Sequence, residues 1–101
     1  MIAVAPNGAR KTKQDHPALP LTANELAMTA AACQEAGACM IHLHVRDPQG
    51  RHSLDANRYR EAISAIRKQA GDDLIIQITT EAVGIYSPDE QIQVVKELKP
   101  E

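Results

Sequence analysis

Aromatic side chains are almost absent: the 101 residues include no Trp, no Phe and only two Tyr. A core without rings must be built from Ile, Leu, Val, Ala and Met, which bury less area per residue. Cysteine is scarce as well. Cys33 and Cys39 lack the dense, even spacing of a secreted disulfide scaffold and form no CxxC pair of a zinc finger. They read as reduced thiols packed as small hydrophobes. No apolar run approaches the ~20 residues of a membrane span, and the opening MIAVAPNGAR is interrupted too soon for a signal peptide. The default expectation is a cytoplasmic protein. Nor is there an excess of one charge. The net charge is −2, and no basic stripe suggests a nucleic-acid partner. The one basic cluster, RKTK (10–13), reads either as a solvated loop or as an anion-binding edge for a phosphorylated cofactor.

What is present describes a small globular domain, 44% hydrophobic and 24% charged. MIAVA (1–5) reads as a buried strand ended by the turn signal PNG (6–8). A long loop follows over residues 6–21, stiffened by the prolines of HPALP (16–20). TANE (22–25) is a capping box, with Leu26, Ala30, Cys33 and Gly37 along one helical face. ACMIHLHV (38–45) is the second strand and RDPQGRHS (46–53) a turn-rich loop. Asp55 caps a second helix whose inner face carries Tyr59, Ala62, Ile63, Ile66 and Ala70, with Gly71 at its end. LIIQITT (74–80) is the third strand. Ser87, Pro88 and Glu90 start a third helix that continues through Ile92, Val95 and Leu98. This β-α-β-α-β-α order predicts parallel pairing, in an open doubly wound sheet or in part of a (β/α)8 barrel. A barrel takes ~250 residues. The chain is therefore expected to be a fragment covering the first three βα units.

The chemistry concentrates at the strand ends, where parallel α/β folds bind ligands. His42 and His44 lie one residue apart, so a strand turns both to the same face. A lone histidine in a strand is ordinarily a satisfied core residue. Two on one face, at the ligand-binding end, are the first two ligands of a metal ion. Asn7 and Gly8, after the first strand, either bring backbone close to a ligand or make a plain turn, and Arg10 offers a fork for a carboxylate. Thr79 and Thr80, after the third strand, offer hydroxyls and N–H groups to a substrate oxygen, or reflect β-propensity alone. Arg46 and Asp47 read as a structural ion pair or as support for the histidines. His16 and His52 read as ordinary surface residues in loops.

The segments APNGARKTKQDHPALPLT, AGACMIHLHVRDPQGRHSLD and IIQITTEAVGIYSP resemble the β-keto acid cleavage enzymes, also described as 3-keto-5-aminohexanoate cleavage enzymes. The resemblance implies a (β/α)8 TIM barrel and one zinc ion bound by His42, His44 and a glutamate expected beyond residue 101. It implies a reaction in which a β-keto acid and acetyl-CoA exchange acyl groups to give acetoacetate and a new acyl-CoA. Catalytic residues, an Asp–Arg pair, are also expected downstream of Glu101. Asn7, Arg10, Thr79, Thr80 and Ala82 are implied as substrate contacts, and a full-length homo-oligomer is expected. Two departures bear on the substrate. Members acting on an amino-keto acid carry Glu where this chain has Arg10, so an anionic or neutral substrate tail is expected. Many members read Ser-Thr-Gly-Gly where this chain has Thr79-Thr80-Glu81-Ala82, and Glu81 adds a charge that either pairs with Arg10 or turns away. Two competitors stand beside this reading. One is an amidohydrolase-type hydrolase, which normally places its HxH on the first strand. The other is a catalytically inactive barrel fragment.

Overall fold

The computed structural model describes residues 1–100. Its elements in chain order are β1 (Ala3–Val4), α1 (Ala23–Glu35), β2 (Met40–Leu43), β3 (Val45–Arg46), β4 (His52–Ser53), α2 (Ala56–Ala70), β5 (Ile75–Ile78) and α3 (Pro88–Leu98). β1, β2 and β5 form a parallel sheet with β2 in the middle. Each is joined to the next through a helix, as parallel neighbours require. The α/β class and the parallel sheet agree with the sequence reading.

Alternation along the central strand decides which way it faces. Ile41, Leu43 and Val45 are buried in the core with Leu26, Ala27 and Ala30 of α1 and Tyr59, Ala62 and Ile66 of α2. α1 and α2 pack on one another over this face. The small residues of α1 permit that close approach. The opposite face carries Met40 and His42, paired in register with Ile75 and Gln77 of β5. Ile75 and Gln77 are exposed, so this face of the sheet stays open.

The helix starts follow their sequence signals. Thr22 and Glu25 form a reciprocal capping box, as do Ser87 and Glu90, with Pro88 in the first turn of α3. Asp55 caps α2 by accepting from the Asn57 N–H. Gly71 ends α2 at φ +80°, a conformation that favours glycine.

Three expectations about the fold need correction. MIAVA is not a buried strand: only Ala3–Val4 pair, and Ala3 is exposed, because β1 is the edge of the sheet. The second strand stops at Leu43, and Val45–Arg46 turn away to form an antiparallel hairpin with His52–Ser53. α3 runs to Leu98, and it buries Val94 while Ile92 and Val95 are exposed, because the helix packs against α2. Arg46 and Asp47 do not pair. Arg46 is buried and donates to the carbonyls of Asn7, Gly8 and Gly50, while Asp47 pairs with Arg51 across the hairpin turn at 3.0 Å.

Candidate active site

The two histidines stand together where β2 ends. Their ring centroids are 5.0 Å apart, edge to face. Each is held on one side by a polar acceptor, one from β5 and one from the loop that follows it. His42 Nδ1 lies 2.7 Å from Gln77 Oε1, its register partner on β5. His44 Nε2 lies 3.2 Å from Glu81 Oε2, in the loop after β5. His44 is buried, and burial pushes its imidazolium toward the neutral form, while the Glu81 carboxylate pulls the other way. A neutral imidazole is the state that binds metal.

Residues from the other strand ends brace the pair. Asn7, buried after β1, donates through Nδ2 to the His44 carbonyl at 2.8 Å. Arg46 ties the Asn7–Gly8 turn to the β3–β4 hairpin. Asn7 therefore supports His44 through its backbone and belongs to the site. Thr79 is buried. Its hydroxyl accepts from the Glu81 N–H at 3.1 Å and its carbonyl accepts from the Tyr59 hydroxyl at 2.9 Å. Thr80 and Ala82 lie in the same loop. Their carbonyls are taken by Gln91 Nε2 and by the N–H groups of Ile85 and Tyr86. Arg10 is exposed on the loop after β1, and Glu81 faces His44 rather than Arg10. Of the basic cluster, Lys13 is committed to Glu25 at 2.6 Å and to the Leu19 carbonyl at 2.9 Å. It acts as a strut for α1.

His52 is the residue the sequence reading misplaced. It is buried rather than on the surface, and its Nε2 lies 2.7 Å from the Glu81 carbonyl. Its ring stands 5.8 Å from that of His44 and 6.2 Å from that of Tyr86. The Tyr86 hydroxyl donates to the His52 carbonyl at 3.3 Å. The signal that could have found it is the hairpin turn: Asp47 to Gly50 between short runs, with Gly50 at φ +81°. The loop between Glu81 and Tyr86 carries Val83 at φ +46°. A β-branched residue there costs about 1–3 kcal/mol, which the surrounding bonds must hold in place.

The donor set fits a borderline divalent ion. His44 Nδ1 is buried without a hydrogen-bond partner, and the bond to Gln77 engages only Nδ1 of His42. Each ring thus keeps one uncommitted nitrogen. Among the described residues, no three His, Cys, Asp or Glu side chains are grouped to hold an ion by themselves. The pair amounts to two of a catalytic zinc's usual three protein ligands.

The model of the β-keto acid cleavage enzyme family matches residues 1–101. The chain belongs to this family. It is 42% identical over 85 residues to a 3-keto-5-aminohexanoate cleavage enzyme of Fusobacterium nucleatum, covering 84% of this chain and 31% of that protein. It is 37% identical over 101 residues to the enzyme of the same name from Acetoanaerobium sticklandii, covering 100% of this chain and 36% of the relative. It is 38% identical over 80 residues to a 3-oxoadipate:acetyl-CoA acetyltransferase of Cupriavidus necator, covering 79% of this chain and 28% of the relative. The chain thus spans about a third of the length of the curated relatives it matches. Among the described residues, no helix is long and apolar enough to cross a membrane.

Proposed function

We propose that this chain is the opening part of a (β/α)8 barrel enzyme that cleaves a β-keto acid by acyl exchange with acetyl-CoA, yielding acetoacetate and an acyl-CoA. The observation that carries the proposal is the His42–His44 pair, 5.0 Å apart at the carboxyl end of the middle parallel strand, in a chain that matches the family throughout. β1 precedes that strand, which disfavours an amidohydrolase arrangement.

His42 and His44 would hold a zinc ion, with a glutamate from elsewhere in the barrel as third ligand. Bound there, zinc supplies a Lewis acid for a substrate carbonyl oxygen. The chain's own residues orient and select. Asn7 fixes the His44 backbone, so the strand end does not drift. Thr79 and Thr80 line the rim at the end of β5, and Ala82 keeps it small. Arg10, exposed and always charged, offers two parallel N–H groups to a distal carboxylate and repels an ammonium. A keto diacid or neutral-tailed keto acid is therefore the proposed substrate class. The Cupriavidus necator relative, named for 3-oxoadipate, supports this choice.

The test uses the polypeptide expressed from its whole reading frame. It should form acetoacetate and an acyl-CoA from acetyl-CoA and a keto diacid, faster than from an amino-keto acid. Acid release without any CoA product would overturn the proposal.

A further inference from the structure

The tautomer of His44 can be read from its neighbours. Glu81 Oε2, 3.2 Å from Nε2, is the acceptor that Nε2 meets, and no hydrogen-bond partner meets the buried Nδ1. A carboxylate only accepts, so the proton belongs on Nε2. That leaves Nδ1 with the lone pair. His42 repeats the pattern with the nitrogens exchanged: Gln77 Oε1 takes the proton on Nδ1 and leaves Nε2 unprotonated.

Glu81 is in turn held from behind. His52 Nε2 donates to its carbonyl at 2.7 Å, and the Thr79 hydroxyl accepts from its N–H at 3.1 Å. His52 also takes the Tyr86 hydroxyl on its carbonyl, so one buried residue ties both ends of the 81–86 loop. His52 leaves its own Nδ1 buried and unpartnered. A leucine would fill that space without orphaning a nitrogen. What the imidazole adds over leucine is the N–H on Nε2, which donates to the Glu81 carbonyl.

We propose that Glu81 is a positioning residue: anchored by His52, its carboxylate accepts the Nε2 proton of His44 and leaves Nδ1 as the nitrogen that takes the metal. A ligating histidine oriented by an outer carboxylate is more basic and fixed in orientation, and loss of such an outer partner lowers metal affinity. The assignment rests on the proposal that His42 and His44 bind a metal ion. It extends that proposal to the one charged residue in the Thr-Thr-Glu-Ala stretch.

The test measures zinc affinity by chelator competition on the polypeptide from its whole reading frame, together with the 15N signature of the His44 ring in the metal-free protein. Glu81→Ala should weaken zinc binding by about 10–100-fold. Glu81→Gln, whose carbonyl oxygen still accepts from Nε2, should restore most of it. His52→Leu should weaken binding and His52→Gln, which keeps an N–H donor, should recover it. The 15N spectrum should place the proton on Nε2 in the parent and lose that preference in Glu81→Ala. Parent-like zinc affinity in Glu81→Ala, a Glu81→Gln variant as weak as Glu81→Ala, or a parent ring protonated on Nδ1 would each overturn the assignment. A parent that binds no zinc would instead sink the proposed metal site, and the ring signature would still decide the role of Glu81.

Discussion

His44 shows how one residue depends on its neighbours at every atom. Its carbonyl takes Asn7, its Nε2 takes Glu81, and its ring packs beside His42 and His52. Replacing His42 and His44 together by alanine should leave the fold intact but cut zinc content and turnover, the latter by at least about a hundredfold. Metal analysis and acetoacetate assays check this, and unchanged turnover would refute the metal role. Tyr59 bears on stability instead. It is fully buried in α2, burial pushes its hydroxyl pKa up, and the proton is donated to the Thr79 carbonyl. Tyr59→Phe keeps the ring but strands that carbonyl, at a cost of about 1–3 kcal/mol. Urea denaturation should show a lower midpoint with an unchanged slope. The histidine pair was legible in the sequence because strand alternation is local. His52 was not, because its burial depends on a hairpin folding back toward the loop after β5.

At the scale of elements, α1 depends on its entry. Glu25 closes the capping box with Thr22 and also receives Lys13 at 2.6 Å. The Lys13 ammonium, followed by the Thr22 backbone, holds its carboxyl well down, from 4.5 to about 2. A folded-state pKa below the unfolded one means the carboxylate contributes stability at neutral pH. That contribution is lost as pH falls from about 4.5 through about 2. Both partners are more than a third exposed, so solvent screening keeps the contribution small. Lys13→Met should flatten this part of the acid unfolding curve, lowering stability by a small, even amount above about pH 5 and converging with the parent near pH 2; an unchanged curve would show that Lys13 does not tune Glu25. The helix starts were readable because caps lie within three residues. The inner face of α3 was not. Ile92 and Val95 look like core residues by composition, yet docking along Val94 turns them outward.

On the scale of the whole molecule, the sheet has two open edges. β1 and β5 each pair on one side only. Ile75 on the open face and Ile92 and Val95 on α3 remain exposed. Unpaired strand edges and apolar patches recruit further chain. Expressed as these 101 residues alone, the protein should self-associate at micromolar concentration. Ile92→Lys together with Val95→Glu should raise the monomer fraction in sedimentation velocity. A monodisperse parent monomer would show that these surfaces are already satisfied.

The sequence by itself determined the order of the three parallel strands and the three helices, the caps that start each helix, and the shared face of His42 and His44. These follow from periodicity and from bonds spanning a few residues. Only the tertiary structure decided that Gln77 and Glu81 meet those two histidines, that His52 is buried beside them, and that Arg46 braces Asn7 rather than Asp47. Each of these contacts joins residues 29 to 39 positions apart, or turns a loop residue inward. Strand register and hairpin docking are set by the packing of the whole sheet, so no local pattern in the chain carries them.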